Sequence, residues 1–268
     1  MVKTMKLIND KINQMKLMND NCIEAMKTIE PQSIDMILCD LPYGTTDCKW
    51  DTVIDFDLLW EQYKRVIKPH GAIVLFGTEP FSSRLRLSNL KWYRYDWYWE
   101  KDRGVNFLFS NKQPLKVTET ISVFYKHQPT YNPQKTKGKA ERDPNKTYWY
   151  GENASAKQIM KNRPATAKHS EHYEPDKRLP RQILYFSRDT DRIHPTQKPI
   201  ALLEYLIRTY TNKHETVLDN TMGSGSCGVA CYNTNRSFIG IEQDKTIYQN
   251  ACAFIERRTK QLQFEFVE

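Results

Sequence analysis

Four consecutive residues, Asp40, Leu41, Pro42 and Tyr43, combine the groups needed to hold a planar ring that carries an amino group. Pro42 restrains Leu41 to an extended backbone, which leaves the Leu41 carbonyl as an acceptor beside the Asp40 carboxylate. These two acceptors would bind both N–H donors of an exocyclic amine and direct its lone pair at an electrophile. Tyr43 offers a flat face for stacking. The tetrapeptide therefore predicts a site that presents a nucleobase amine for attack.

A glycine-rich turn far downstream has the pattern of a nucleoside-binding loop. Gly223, Gly225 and Gly228 follow the spacing Gly-x-Gly-x-x-Gly between a predicted strand and a predicted helix. Glycines let the backbone approach a ligand closely, and the start of a helix offers free N–H groups. Glu242 ends the next predicted strand, at the position expected for an acid that accepts both ribose hydroxyls. We expect a nucleoside cofactor here.

The glycines alone leave the identity of the nucleoside open. NAD would need its pyrophosphate at the start of the helix. S-adenosyl-L-methionine has no phosphate and carries an ammonium and a sulfonium, so acidic residues near the loop would favour it. Asp219, directly before the turn, is suited to such a cation.

Alternating predicted strands and helices place these groups at strand ends. Short apolar runs predict strands at 33–39, 71–76, 216–218 and 237–241, and apolar residues at helical spacing predict helices at 21–29, 56–67, 200–210 and from 226. Two alternating aromatic stretches, 93–99 and 120–125, predict consecutive strands and an antiparallel edge. The order predicts a mostly parallel α/β sheet, in which sites collect at the carboxyl ends of the strands.

The segment from 128 to 190 differs in composition from the rest of the chain. Between Lys135 and Arg181, twelve Lys and Arg face six Asp and Glu, which supplies most of the net charge of +8. Aromatic residues interleave with this charge at Tyr131, Tyr148, Trp149, Tyr150 and Tyr173. A basic, aromatic surface suits a polyanion. A solvated or disordered segment is the alternative.

Other features of the composition argue against several classes of protein. The six cysteines form no Cys-x-x-Cys pair and fit a reducing cytoplasm. No apolar run approaches the ~20 residues of a membrane span, and the first residues lack a signal peptide. His169 and His172 have no third ligand in view, so we predict solvated histidines and no metal site. We expect a cytoplasmic protein.

Several sequence boxes resemble those of amino-group DNA methyltransferases. Residues 40–43 (Asp-Leu-Pro-Tyr) resemble the Asp-Pro-Pro-Tyr signature, and residues 219–226 resemble the Asp-Pro-Phe-x-Gly-Ser-Gly-Thr cofactor loop. Residues 194–199 (His-Pro-Thr-Gln-Lys-Pro) are similar to a third box, and residues 19–20 resemble the Gly-Asp box. Residues 109–125 resemble the strand region before a target-recognition insert. The catalytic box precedes the cofactor loop, which is the order in the β group of adenine-N6 and cytosine-N4 enzymes.

This resemblance implies a circularly permuted, Rossmann-like α/β fold of S-adenosylmethionine-dependent methyltransferases, with seven strands and an inserted target-recognition region. It divides the chain into a catalytic half (1–127), the insert (128–190) and a cofactor-binding half (191–268). It implies S-adenosyl-L-methionine as the methyl donor and double-stranded DNA as the partner, with the target nucleotide extruded from the duplex. A homodimer is expected because members of the family are often dimers.

The resemblance also implies roles for individual residues. The catalytic set is Asp40, Leu41, Pro42 and Tyr43. Asp20 would lie near the cofactor adenine and Glu242 at its ribose. The rest of the cofactor set, which the resemblance associates mainly with the methionine end, is His194, Thr196, Lys198, Asp219, Gly223, Ser224, Gly225 and Ser226.

The chain departs from the family pattern at two places. Leu41 replaces the first proline of the signature, where only the carbonyl is required, and residues 220–222 (Asn-Thr-Met) replace Pro-Phe-x. The leading Asp40 is typical of adenine enzymes, so we predict an adenine-N6 DNA methyltransferase of the restriction-modification type. Cytosine-N4 methylation is the runner-up. A catalytically inactive DNA-binding protein, a nicotinamide dehydrogenase and an RNA acceptor are further alternatives.

Overall fold

The computed structural model describes residues 15–44, 51–138, 176–194 and 196–264. Its contacts divide the chain into two compact units. One unit is formed by the residues up to 132 and from 181 onwards, and the other by residues 133–180. The division into domains at 127 and 190 stays a prediction.

The secondary structure of the described residues alternates between strands and helices for most of the chain. The strands are Met15–Asn19 (β1), Ile34–Asp40 (β2), Ile67–Gly77 (β3), Tyr93–Val105 (β4), Lys116–Phe124 (β5), Thr136–Lys137 (β6), Lys177–Arg178 (β7), Ile183–Tyr185 (β8), Thr216–Asp219 (β9) and Ser237–Glu242 (β10). The helices are Cys22–Lys27 (α1), Phe56–Val66 (α2), Phe81–Ser88 (α3), Ile200–Tyr210 (α4), Ser226–Thr234 (α5) and Lys245–Phe264 (α6).

The larger unit is built on a sheet with the order β1-β10-β9-β2-β3-β5-β4-β8. Strand β5 runs antiparallel to both of its neighbours, whereas the other pairs are parallel. The sheet therefore has eight strands among the described residues, and not the seven that the resemblance implied. The additional strand is β8, which lies inside the range predicted as an insert. It pairs with β4, which would otherwise be an exposed edge.

Helices cover both faces of the sheet, which explains why the central strands are almost continuously apolar. Successive residues of β2 point to opposite faces. Met36 and Leu38 pack in one core with residues of α4, α5 and α6, while Ile37 and Cys39 pack in the other with residues of α1, α2 and α3. Burial on both sides fixes the register of β2 and, with it, the position of Asp40 at its end.

The start of α5 depends on a glycine. Gly225, which precedes the helix, has a φ of 77° and so adopts a left-handed conformation. A Cβ at this position would lie 2.9 Å from the Ile255 side chain of α6. The glycine therefore allows the cofactor-type loop to turn directly into a buried helix.

The second unit contributes a short antiparallel ladder, in which Thr136 pairs with Arg178 and Lys137 pairs with Lys177. Most of the basic and aromatic segment lies outside the described residues, namely 139–175 with Tyr148, Trp149, Tyr150, His169, His172 and Tyr173. No helix in the described part of the chain has the length and apolar character needed to cross a membrane.

Candidate active site

Three parallel strands end in carboxylates at one edge of the sheet. Strand β2 ends at Asp40, β9 at Asp219 and β10 at Glu242. A cleft of about 1130 Å³ opens at this edge and is lined by all three side chains or their backbones. The topology thus brings Asp40 together with two acids that lie about 180 and 200 positions later in the chain.

The loop after β9 is fixed directly to the end of β2. The Thr221 hydroxyl donates a hydrogen bond of 3.1 Å to the Asp40 carbonyl. The same loop continues through Gly223, with a φ of 50°, and Ser224 towards α5, and residues 220–224 line the cleft. The predicted amine-binding turn and the predicted cofactor loop therefore share one cavity.

Glu242 supports the glycine-rich loop from the neighbouring strand. One carboxylate oxygen accepts a hydrogen bond of 3.1 Å from the Gly223 N–H, and the other accepts one of 2.9 Å from the Asp244 N–H. Burial raises the pKa of Glu242 above its ordinary value, and the two N–H donors offset part of this rise. The carboxylate oxygens retain further lone pairs for ligand hydroxyls.

Asp219 is the most deeply buried acid at the cofactor loop. Burial raises its pKa to about 7, although the carboxylate accepts a hydrogen bond of 3.2 Å from the Thr221 N–H. The negative charges of Asp40 and Glu242 raise the pKa further. A cation bound in the cleft would lower it, so Asp219 fits a positively charged ligand better than an anionic one.

The Asp40 carboxylate is held on both of its oxygens. Lys198 Nζ lies 2.6 Å from Oδ2, and the Tyr43 hydroxyl donates to Oδ1. The Tyr43 ring packs on Phe81 of α3, with 4.9 Å between the ring centroids. Burial raises the pKa of Asp40, and the adjacent Lys198 ammonium offsets part of this effect.

Lys198 reaches Asp40 from the turn that leads into α4. Asp189 anchors that turn, because its carboxylate accepts hydrogen bonds from the Ile200 N–H at 3.1 Å and from the Gln197 side chain at 3.3 Å. The Lys198 side chain is only 9% exposed. Its assignment to the methionine end of the cofactor stays a prediction, and its contact with Asp40 is an additional finding.

Sequence reasoning assigned no role to Glu119 and Lys101. Glu119 lies on β5, with its carboxylate 2.8 Å from Lys198 Nζ and 2.8 Å from Lys101 Nζ on β4. Burial alone would raise the pKa of Glu119, but the two ammonium groups hold it at about 2. The available signal was an acidic residue within a predicted strand region, next to the apolar stretch that ends at Phe124.

Most of the residues predicted to form the site line the cleft. From the catalytic set these are Asp40, Leu41, Pro42 and Tyr43, and from the cofactor set they are His194, Thr196, Lys198, Asp219, Gly223, Ser224, Ser226 and Glu242. Their individual roles stay predictions.

Two predicted cofactor residues do not line the cleft. Asp20 is exposed and accepts a hydrogen bond of 2.7 Å from the Asn21 N–H, and Gly225 faces Ile255. Two residues that were not predicted, Asn21 and Gln243, also line the cleft, with 3.3 Å between their side-chain amides. They directly follow the predicted residues Asp20 and Glu242 in the sequence, and this adjacency is the signal that could have identified them.

A comparison with protein families decides the assignment, because a model described as DNA methylase matches residues 34–253. The chain belongs to the DNA methylase family. The prediction of an amino-group DNA methyltransferase is therefore confirmed at the level of the family.

Curated relatives of this DNA methylase match it over most of its length. It is 29% identical to the Type II methyltransferase M.HpaI of Haemophilus parainfluenzae over 94% of the chain and 75% of that protein. It is 27% identical to the Type II methyltransferase M1.MboII of Moraxella bovis over 92% of the chain and 96% of that protein.

Solved structures confirm the predicted Rossmann-like methyltransferase fold. The crystal structure of the M1.HpyAVI–SAM complex superposes with a TM-score of 0.58 at 24% identity, covering 89% of this methylase and 98% of that chain. The PvuII DNA methyltransferase, described as cytosine-N4-specific, superposes with a TM-score of 0.60 at 13% identity, covering 92% of this methylase and 93% of that chain.

Proposed function

We propose that this methylase transfers the methyl group of S-adenosyl-L-methionine to adenine N6 in duplex DNA after extrusion of the target nucleotide. The hydrogen bond from Thr221 to the Asp40 carbonyl is the observation that carries the proposal. It joins the loop suited to a nucleoside cofactor with the turn suited to an exocyclic amine. Donor and acceptor would therefore meet in one cleft.

The two carboxyl groups beside the glycine-rich loop support S-adenosyl-L-methionine over NAD. Asp219 and Glu242 are both acidic, and they would repel a pyrophosphate but attract an ammonium and a sulfonium. Glu242 would accept hydrogen bonds from the ribose hydroxyls while it holds Gly223 in place. When bound, this cofactor supplies an electrophilic methyl group.

Asp40 and Leu41 would orient the target amine, and Tyr43 would stack on the extruded base. The amine nitrogen uses its lone pair to form the bond to the methyl carbon, and the electron pair of the carbon–sulfur bond returns to sulfur. The nitrogen then releases one proton to water. Asp40 assists by orienting the amine and by stabilising the positive charge that develops on nitrogen.

The choice of adenine rests on the aspartate that begins the tetrapeptide. Cytosine-N4 methylation is the alternative, because a cytosine-N4-specific enzyme shares the fold. The basic segment between Lys135 and Arg181 would contact DNA phosphates and base edges. The names of the relatives favour a modification enzyme with a defined target sequence. The homodimer and the cytoplasmic location stay predictions.

The test is to incubate duplex DNA of mixed sequence with the protein and labelled S-adenosyl-L-methionine, digest the product and analyse the nucleosides by mass spectrometry. We expect N6-methyladenine. N4-methylcytosine would overturn the choice of base. Binding of the donor without transfer to any DNA would favour an inactive scaffold, and binding of NAD but not of S-adenosyl-L-methionine would restore the dehydrogenase alternative.

A matched pair of variants separates catalysis from folding. Asp40→Ala is expected to abolish transfer and to leave donor binding largely intact. Asp191→Ala is the control, because Asp191 lies outside the cleft lining and pairs with Arg257 at 3.0 Å on the surface. This variant should leave methyl transfer and donor binding unchanged. Loss of donor binding in Asp40→Ala would contradict the role assigned to this carboxylate.

A further inference from the structure

An alternating row of charges extends from the catalytic carboxylate along the wall of the cleft. Lys198 Nζ lies 2.6 Å from Asp40 Oδ2 and 2.8 Å from Glu119 Oε1, and the other oxygen of Glu119 lies 2.8 Å from Lys101 Nζ. The side chains of Lys198 and Glu119 are 9% and 5% exposed. The Tyr43 hydroxyl lies 3.0 Å from Glu119 as well as contacting Asp40. The row therefore begins at the residue that would bind the target amine.

The proposed reaction places two opposing requirements on the charge of Asp40, and this arrangement meets both. The amine nitrogen gains positive charge as the methyl group is transferred, so Asp40 must remain negative. A lysine with Asp40 as its sole partner would cancel that charge. Two buried carboxylates without a lysine would not both remain ionised. A lysine shared between Asp40 and Glu119 keeps Asp40 ionised and leaves part of its charge for the substrate.

We propose that Glu119 is a positioning residue for methyl transfer, which acts by holding Lys198 between itself and Asp40. The inference rests on the proposed function and deepens it, because it names the group that shares Lys198 with Asp40 and so prevents the lysine from neutralising the acceptor carboxylate completely. Glu119 and Lys198 can act in this way without contacting the base. Lys101 on β4 holds Glu119 from the opposite side and completes the row.

The surroundings of Asp40 determine how its ionisation responds to each change. The groups whose charges face it are Tyr43, Glu119, Lys198, His194 and Asp219. Burial raises the pKa of Asp40, Lys198 lowers it and Glu119 raises it. Removal of the lysine charge should therefore raise the pKa of Asp40, whereas removal of the Glu119 charge should lower it. Loss of structure alone would not produce opposite shifts.

The experiment compares the pH dependence of kcat for the wild type, Lys198→Met, Lys198→Arg and Glu119→Gln. In Lys198→Met, kcat at pH 7 should fall at least about tenfold and the acidic limb should move about one pH unit upward. In Glu119→Gln, kcat should fall about tenfold and the limb should move downward, because the amide keeps a hydrogen bond to Lys198 but loses the charge. Lys198→Arg should keep the limb near the wild-type position.

Two control variants change the same residue types at ion pairs outside the cleft lining. Lys68→Met breaks a 2.7 Å pair with Asp35, and Glu204→Gln weakens a 2.7 Å pair with Arg208. Both should keep the wild-type limb and kcat. A shift of the limb in these controls equal to that in the cleft variants would overturn the inference.

A titration of the Asp40 carboxyl by NMR, with selectively ¹³C-labelled aspartate, tests the inference without turnover. The Asp40 signal, assigned by its loss in Asp40→Asn, should titrate higher in Lys198→Met and lower in Glu119→Gln than in the wild type. Coincident titrations in all three would overturn the inference even if the variants were slow. A wild type that methylates no DNA would overturn the proposed function instead, while this titration would still decide the ionic role of Glu119 and Lys198.

Discussion

The hydroxyl of Thr221 donates a hydrogen bond of 3.1 Å to the backbone carbonyl of Asp40, across 181 positions of the chain. The bond joins the glycine-rich loop to the end of β2. It fixes the distance between the two halves of the cleft without using the side chain of Asp40. Alignment of a methyl donor with an acceptor depends on such fixed distances.

Loss of this bond should affect alignment more than binding. We expect Thr221→Val to lower kcat about tenfold and to change the affinity for S-adenosyl-L-methionine little, because small misplacements of reacting groups lower rates strongly. Steady-state kinetics and calorimetric binding measure the two effects. Thr28→Val is the control, since it removes a hydroxyl bond of 2.8 Å to the Ala25 carbonyl outside the cleft. Equal loss of kcat in both variants would contradict the prediction.

Binding of the cofactor should depend on the ionisation of Asp219. Its pKa is raised to about 7 by burial, so the carboxyl is mostly protonated at pH 6 and binding a cation must release a proton. We expect the dissociation constant to be roughly tenfold higher at pH 6 than at pH 7.5. Calorimetry in buffers of different ionisation enthalpy measures the proton release. Asp219→Asn should bind weakly and show little of this pH dependence.

The same raised pKa affects the stability of the ligand-free protein. A buried carboxyl with a raised pKa stabilises the folded state at low pH, and this contribution is lost as the pH rises through about 7. Asp219→Asn should therefore gain stability relative to the wild type between pH 5 and pH 8. Thermal unfolding of both proteins at pH 5 and pH 8 measures their difference in stability. The same difference at both pH values would show that Asp219 is not protonated in the folded state.

Glu242 should contribute to cofactor affinity in two ways, by binding ribose and by holding the Gly223 N–H. We expect Glu242→Ala to raise the dissociation constant of S-adenosyl-L-methionine about tenfold to a hundredfold, as for the loss of hydrogen bonds to a charged group. Glu242→Gln should be intermediate. Glu256→Gln is the control at an exposed position of α6. Unchanged affinity in Glu242→Ala would place the ribose elsewhere.

The ring of Tyr43 should matter more than its hydroxyl. Stacking of a base on an aromatic ring contributes about 1–3 kcal/mol, so Tyr43→Ala should lower kcat/KM roughly tenfold to a hundredfold. Tyr43→Phe keeps the ring and its contact with Phe81 and should retain most activity. Fluorescence of 2-aminopurine placed at the mapped target reports extrusion of the base. A larger loss in Tyr43→Phe than in Tyr43→Ala would show that the hydroxyl is the important group.

Asn220, which replaces a proline of the family pattern, should stabilise the fold through Tyr63. The Asn220 side-chain oxygen accepts hydrogen bonds from the Tyr63 hydroxyl at 2.6 Å and from Cys39 Sγ at 2.9 Å. Asn220→Ala leaves a buried hydroxyl without this acceptor and should cost about 1–3 kcal/mol of unfolding free energy. In the double variant with Tyr63→Phe, the cost should be less than the sum of the single changes.

Urea denaturation of the wild type, the variants Asn220→Ala and Tyr63→Phe, and the double variant forms a double-mutant cycle. It measures the coupling free energy between Asn220 and Tyr63. A second cycle that combines Tyr63→Phe with Thr259→Val serves as the control, because Thr259 bonds within α6 to the Ile255 carbonyl and shares no partner with Tyr63. Its two effects should add. Additive effects in the Asn220 cycle would mean that the observed hydrogen bond contributes no net stability.

Much of the site could be predicted because its residues belong to local patterns. A strand followed by a turn identifies Asp40 and Asp219, and the glycine spacing with Glu242 identifies a nucleoside loop. The predicted strands at 33–39 and 237–241 are Ile34–Asp40 and Ser237–Glu242 in the structure. Local patterns are sufficient here because the periodicity of apolar residues reports burial, and strand ends in a parallel sheet share one edge.

Only the tertiary structure decided which charges meet. Glu119, Lys101 and Lys198 lie on three separate elements, and the register of β4 against β5 and the path of the turn before α4 bring them together. The addition of β8 to the edge of the sheet depends likewise on the unpaired backbone of β4. The sequence alone determined the family, the strand ends that carry the site and the candidate chemistry. The ionisation of Asp40 and Asp219 was decided by folding, because burial and neighbouring charges set a pKa and neither is encoded at the position itself.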